Sequence, residues 1–204
     1  MIAVTFYNDK INDQIVQYQK KVFDYFGLEI KQINCPNWTG HGHLVDQYIK
    51  SLPDNWDVFI LFDIDSIPLD NKIIQEGVDW TKNNLGLFSV AQRHQRKSEV
   101  VYASPAFLIF SKKTYDAIDK ASFVETRRSD VAGELTHKCI EKKLQVKLMW
   151  PSSVEEEKWV LKNDQKFGRG TTYENRIYHA FESRMDNVSS FVNKCKEILG
   201  ENEY

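Results

Sequence analysis

The 204 residues carry 27 basic and 29 acidic side chains, a formal net charge of −2, and 42% are hydrophobic. That balance excludes a general nucleic-acid binder, which gathers Lys and Arg into an electrostatic footprint, and the length suits one domain with a substantial core. Three scattered cysteines, Cys35, Cys139 and Cys195, argue against a disulfide scaffold and a thiolate zinc site, and no segment stays apolar for the length a membrane span needs.

The N-terminal MIAVTFYNDK becomes charged too early for a secretory signal, so a reducing, cytoplasmic compartment is expected, with the formal sequons at Asn37 and Asn187 as chance matches. Ile2 to Tyr7 reads as a strand. Ile11, Ile15, Tyr18, Val22 and Phe26 follow at helical spacing, Gly27 supplies a stop signal, and Leu28 to Ile33 reads as the next strand. A strand, helix and strand in this order favour parallel neighbours, because the helix provides the crossover. Asn34 to Gly42 reads as a loop and Leu44 to Leu52 as a short helix ended by Pro53-Asp54-Asn55. Val58 to Phe62 is apolar throughout, as in a strand covered on both faces, and Pro68 is expected to turn the chain out of regular pairing. Leu85 to Val90 and Ala106 to Phe110 read as further strands. Ser111 is expected to cap a helix carrying Tyr115 and Ile118, and Asp130 one running to about Lys143. Val146 to Trp150 then reads as a strand, and Phe191 to Leu199 as a peripheral helix. With no repeat or linker, residues 1–204 form a single domain.

Five apolar residues, Val58 to Phe62, deliver Asp63 and Asp65 to the carboxyl end of a strand, where open α/β sheets bind ligands. Residues two apart in an extended segment point the same way, so the two carboxylates are expected to converge. Close carboxylates repel, and a hard divalent cation, Mn²⁺ or Mg²⁺, supplies opposite charge while leaving positions for phosphate oxygens and water. The alternative is a surface turn in which both acids accept backbone hydrogen bonds.

FILFDIDSIP resembles the DxD region of glycosyltransferases with the GT-A fold, and short similarities extend from the first strand to Ile177-Tyr178-His179. The resemblance implies an α/β, Rossmann-like sandwich with a mostly parallel central sheet and flanking helices. It places a nucleotide-binding half at about 1–95, an acceptor-side half at 96–180 and a peripheral segment at 181–204. The activity it implies is metal-dependent transfer of a sugar from a nucleoside-diphosphate sugar, first of all a UDP-sugar, to a carbohydrate or other hydroxyl acceptor. By position Asp63 would lie near ribose and metal, Asp65 would ligate the metal, and His179 in RIYHAF would join the metal or diphosphate. A buried, hydrogen-bonded histidine is the other reading of His179.

Thr5, Tyr7 and Asn8, at the end of the first strand, become candidates for contacting the nucleotide. Arg169, with Arg127 and Arg128, becomes a candidate for the phosphates. SDVAGELTHKCIEKK resembles the later acidic segment beside the acceptor, which makes Asp130, then Glu134, the candidate catalytic base, although no adjacent Glu-Asp pair is present. Tyr102 in EVVYASP offers an aromatic surface to a sugar, and Phe167 to Tyr173 reads as a glycine-containing movable loop or a turn. His41 and His43 lie in a glycine-containing loop without a carboxylate partner by spacing, and loop contacts are favoured over a zinc site. The basic run Arg93 to Lys97 is either a solvated loop or a phosphate contact.

Two rival functions fit parts of the pattern. FDIDSI resembles the nucleophile strand of haloacid-dehalogenase-like phosphohydrolases, with Asp63 as nucleophile and Asp65 as acid/base, but no lysine or later acidic pair can be placed. A domain of glycosyltransferase shape that binds a sugar nucleotide or carbohydrate without transfer is the other.

Overall fold

The computed structural model describes residues 3–94, 99–162, 164–182 and 188–201. Strand β1 (Ala3–Tyr7) leads to helix α1 (Asp13–Tyr25), whose N-terminus Asn12 caps by accepting a hydrogen bond from the Gln14 N–H. Ile15, Val22 and Phe23 are its buried stripe. Gly27 ends it with φ +68°, a left-handed turn that glycine adopts without steric cost, and the Leu28 N–H closes back onto the Phe23 carbonyl at 2.9 Å. Strand β2 (Ile30–Asn34) then pairs parallel with β1, Ala3 opposite Ile30.

Helix α2 (His41–Ser51) begins within the segment expected to be a loop. Its N-cap is Gly40 at φ +111°, and a Cβ on Gly42 would lie 2.5 Å from the Phe123 carbonyl oxygen. The helix therefore starts early because glycines let it dock against the 123–124 backbone. Strand β3 (Val58–Phe62) pairs parallel with β1 and is the central strand the apolar run suggests. Strand β4 (Ser66–Pro68) follows at once. Pro68 does not leave the pairing: it sits opposite Ile177 at a sheet edge, where its missing N–H is tolerated.

Helix α3 (Ile73–Asn83) was not read from the sequence. Strand β5 (Gly86–Arg93) covers the expected 85–90 run from Gly86 onward, and β6 (Val101–Ser111) extends the expected 106–110 strand backwards to Val101, within EVVYASP. Ser111 caps α4 (Lys112–Ala117) as expected, accepting from the Thr114 N–H. Helix α5 (Gly133–Glu141) starts later and ends earlier than expected. Its N-cap is Ala132, not Asp130. Strand β7 (Gln145–Met149) is followed by β8 (Pro151–Val160), β9 (Lys166–Tyr173) and β10 (Ile177–His179). Phe167–Tyr173 is thus strand, not a movable loop; its glycines serve close packing, since a Cβ on Gly168 would lie 2.1 Å from the Glu156 carbonyl oxygen. Helix α6 (Val188–Leu199) closes the described chain.

The main sheet has six strands in the order β2-β1-β3-β6-β5-β7. All run the same way except β6, which pairs antiparallel with β3 and β5, so the sheet is mixed but mostly parallel. Alternation along β3 sends Phe59 and Leu61 into a core shared with α2 and α5, and Ile60 and Phe62 into one shared with α3. A smaller sheet, β4-β10-β9-β8, stands beside it. Ile67 and Tyr178 of that sheet pack with Ile15 and Val22 of α1 and with Phe191 and Cys195 of α6. All three cysteines are free thiols, and burial pushes Cys139 up to about 12, which suits a packing role. No described helix is long and apolar enough to cross a membrane.

Candidate metal centre and its cleft

Asp63 and Asp65 do converge, but not by strand alternation. β3 ends at Phe62, and residues 63–65 form a turn that hands the chain to β4. The turn is fixed from below. Gln19 of α1, fully buried, donates from Nε2 to the Asp63 carbonyl at 2.8 Å and to the Ser66 carbonyl at 3.0 Å. Its own Oε1 accepts from Gln32 Nε2 of β2 at 3.0 Å, which sets the orientation of the amide. The Asp63 N–H donates to the Ala106 carbonyl, and the Asp65 carbonyl accepts from the Ala180 N–H at 2.9 Å.

The antiparallel pairing of β4 with β10 puts His179 directly opposite Ser66. His179 Nε2 lies 3.2 Å from Asp65 Oδ1 and 3.6 Å from Asp63 Oδ2. One ligand atom from each of the three residues falls within 4.8 Å of the others. Asp65 and His179 are buried, 7% and 4% exposed, and the imidazole stacks on Phe181 with ring centres 3.7 Å apart. Its Nδ1 is buried without a hydrogen-bond partner. Two carboxylates and one imidazole make a donor set of hard oxygens and a borderline nitrogen, which suits Mn²⁺ better than a soft metal.

A fourth side chain meets this group. His41, the first residue of α2, places Nδ1 3.5 Å from Asp63 Oδ1, so an imidazole stands at each oxygen of the Asp63 carboxylate. Trp38 and Phe6 flank the His41 ring, and its Nε2 is buried without a partner. The missing carboxylate partner that favoured loop contacts for His41 is Asp63, supplied by the fold rather than by local spacing.

These residues floor a cleft of about 320 Å³ at the carboxyl end of β3. Tyr7 and Asn8 line it on the β1 side with Phe6, Ile11 and Trp38; Gln92, Tyr102, Pro105, Asp130 and Val131 line it on the β5–β6 side; Phe181 and Glu182 lie beside His179. The Tyr102 hydroxyl is pushed well above its ordinary pKa, first by burial and then by the charges of Asp130 and Asp63. Tyr173, fully buried beneath, is pushed up for the same first reason with Asp63 adding to it. Among the described residues lining the cleft, four are acidic and none is Lys or Arg.

The remaining candidates fall differently. Asp130 faces the cleft, its Oδ1 accepting from the Val131 N–H at 2.9 Å. Glu134 is not brought there. Its carboxylate accepts from Arg128 Nε and Nη2 and from Thr126 and Ser129, and Arg128 above all holds it down at about 2. Thr5 is fully buried in β1 with its hydroxyl unpartnered and does not line the cleft. Arg169 is engaged by Glu156 and Glu182 and reaches the cleft only through Glu182. Arg127 is exposed. Of the basic run, Arg93 pairs with Glu99 at 2.7 Å, while residues 95–97 lie outside the described residues, as does Asn187. Gln19 and Gln92 escape sequence reading because isolated polar residues on helices and strands carry no periodic signal, and His41 was read only as a loop contact.

No protein-family model and no curated protein matches this chain. Solved structures resemble this chain at low identity. A mannosyltransferase from Pyrobaculum calidifontis, solved in complex with GDP-Man and Mn²⁺, matches with a TM-score of 0.51 and 7% identity, over 72% of this chain and 53% of that one. A mutant of Drosophila β1,4-galactosyltransferase 7, solved with manganese, UDP-Gal and xylobiose, gives 0.47 and 13%, over 81% and 68%. A glycosyltransferase involved in glycosylation of the major capsid of PBCV-1 gives 0.49 and 9%, over 96% and 98%. This chain spans about half the length of the mannosyltransferase. What that likeness shows is the fold: a mixed, mostly parallel sheet flanked by helices, of the GT-A, Rossmann-like kind.

Proposed function

We propose that this protein is a divalent-metal-dependent glycosyltransferase that moves a sugar from a nucleoside-diphosphate sugar, first of all a UDP-sugar, to a hydroxyl acceptor. The observation that carries the reading is the meeting of Asp63, Asp65 and His179 within 4.8 Å on the floor of a cleft at the carboxyl end of β3. A cleft whose described lining has four acids and neither Lys nor Arg repels a diphosphate, so nucleotide binding there requires a cation. Asp63, Asp65 and His179 would hold Mn²⁺ or Mg²⁺, which when bound offsets the charge that develops on the departing diphosphate. Tyr7 and Asn8 serve the nucleotide on the β1 side, and Asp63 also serves the ribose. The acceptor-side half, assigned to about 96–180, is joined in the cleft by Gln92.

Asp130 is the group we assign to take the acceptor proton. The acceptor oxygen bonds to the anomeric carbon, the bond from that carbon to the diphosphate oxygen breaks, and the hydroxyl proton passes to the Asp130 carboxylate. Glu134, already committed to Arg128, is the lesser candidate. The haloacid-dehalogenase-like reading gains no support, since no lysine is among the described residues lining the cleft. The binding-domain reading stands beside the transfer reading because a fold alone does not establish turnover.

The test is nucleoside-diphosphate release from a panel of UDP- and GDP-sugars, with and without Mn²⁺ and glycoside acceptors. The proposal expects release that needs both metal and acceptor and that Asp65→Asn abolishes with the circular-dichroism spectrum unchanged. Metal-dependent binding without release establishes the binding-domain reading instead; indifference to metal rejects the site.

A further inference from the structure

The β5–β6 wall of the cleft carries an ordered set of hydrogen-bonding groups that the metal centre does not use. Gln92 and Tyr102 are directly opposite in the antiparallel β5–β6 register, so their side chains stand side by side on one face. Ser104, two residues along β6 from Tyr102, lies on the same face. Its hydroxyl oxygen accepts from the Ala106 N–H at 3.1 Å, so its single proton goes to Gln92 Oε1 at 2.5 Å. That bond fixes the amide: Oε1 is occupied by Ser104, and the Nε2 group, with both N–H donors, is left without a partner among the described residues. Thr136 of α5 accepts from the Ala103 N–H at 2.9 Å, and Gly133 packs near the Tyr102 ring. These contacts bring the 129–133 segment, with Asp130, against Tyr102.

We propose that Gln92, Tyr102 and Asp130 form a subsite that reads neighbouring hydroxyls of a neutral polyol, which makes the acceptor a sugar rather than a lone side-chain hydroxyl. The subsite rests on the transfer reading only for the word acceptor. Its chemistry follows from the complement of groups. A carboxylate only accepts, so the ligand hydroxyl facing Asp130 must donate to it. An amide N–H₂ and a phenol kept protonated by burial and by two nearby carboxylates both donate, so the oxygen beside that hydroxyl must accept. Adjacent hydroxyls on a ring satisfy both demands at once. An anionic ligand is disfavoured, because the described cleft lining offers it four carboxylates and neither Lys nor Arg. Pro105 and Val131 supply apolar surface for the ring's C–H face.

Ligand-observed saturation-transfer NMR, with Mg²⁺ present, measures this on the full chain. The probes are methyl glycosides of common pyranoses, with 1-propanol and N-acetylserine amide as lone-hydroxyl controls. At least one glycoside is expected to bind, with both controls at least about 10-fold weaker. Gln92→Leu and Tyr102→Phe should each weaken that glycoside about 10-fold. Ser104→Ala, which frees the amide without touching the cleft, should weaken it less. Thermal melts confirm folding, and Tyr102→Phe keeps the packed ring should Gln92→Leu fail to fold. Binding of no glycoside, equal binding of the controls, or wild-type affinity in folded Gln92→Leu and Tyr102→Phe overturns the subsite. Glycoside binding with the expected losses in a protein that binds no nucleotide sugar leaves the subsite standing and removes the transfer reading.

Discussion

Asp63 stands between two imidazoles, His41 at 3.5 Å from Oδ1 and His179 at 3.6 Å from Oδ2. That arrangement flanks the carboxylate on both sides and leaves Asp65 and His179 to complete the proposed metal face. His41→Phe keeps a ring between Trp38 and Phe6 but removes its partner to Oδ1, so Mn²⁺ affinity is expected to fall about 10-fold, within the range for outer-shell partners of metal ligands. Calorimetric titration of Mn²⁺ checks it, with unchanged affinity assigning His41 to packing. Asp130→Asn should retain Mn²⁺ and nucleotide affinity while lowering turnover about 100-fold or more, the range for loss of a general base. Equal loss of nucleotide affinity would place Asp130 in donor binding. The acid pair was legible because an apolar strand running into DxD is a local pattern. His41 was not, because its partner lies 22 positions away and only the docking of α2 brings them together.

Among the elements, the turn from β3 to β4 decides where the carboxylates point, and α1 holds that turn through Gln19. Gln19→Leu removes the donor to the Ser66 carbonyl, leaves the Asp63 carbonyl only the Ser66 N–H, and leaves the Gln32 amide only its bond to the Val16 carbonyl. A loss of about 2–3 kcal/mol in urea unfolding is expected, together with weaker Mn²⁺ binding; loss of stability alone would show that the turn holds its shape without the clamp. Helix α5 is anchored at its start by Glu134, whose carboxyl Arg128 holds down at about 2 against the ordinary 4.5. Because the folded value is the lower one, this contribution is complete above pH 4.5 and drains away as pH falls toward 2. Arg128→Ala should cost about 1 kcal/mol at pH 7, modest because Arg128 is half exposed, and the gap from wild type should narrow in acid unfolding below pH 4 and close toward pH 2. A gap undiminished near pH 2 would deny the ion pair its role. Strong periodicity made α1 and β3 readable. Helix α3 and the β8–β10 sheet were not read: Gly77 packs α3 onto Ile109 and Phe88, and Pro68, which read as a breaker, sits at a sheet edge. Asp130 was taken for a cap because the left-handed Ala132, φ +66°, cannot be foreseen from its side chain.

At the scale of the molecule, two sheets meet along the cleft, and neither alone makes the site. The six-stranded sheet delivers Asp63 and Asp65 through β3, and the small sheet carries His179 back to them from more than a hundred residues away. Helix α6 packs against α1 and Tyr178, next to His179 in the chain, so the C-terminal helix supports the site although it contributes no ligand. Such long-range pairing is the part a sequence does not display: the alternating strand-helix order foretold a parallel sheet, whereas the reversed β6 and the second sheet depend on packing across the whole fold.

The central claim is that Asp63, Asp65 and His179 together hold one divalent cation. Electron paramagnetic resonance of free Mn²⁺, titrated with the protein and with Asp63→Asn, Asp65→Asn and His179→Ala, measures it without reference to any substrate. The account expects saturable uptake of one Mn²⁺ per chain by the wild type, lost in Asp65→Asn and reduced about 10-fold or more in the other two. Uptake by all three folded variants equal to the wild type, or no uptake by the wild type at millimolar protein, would contradict it.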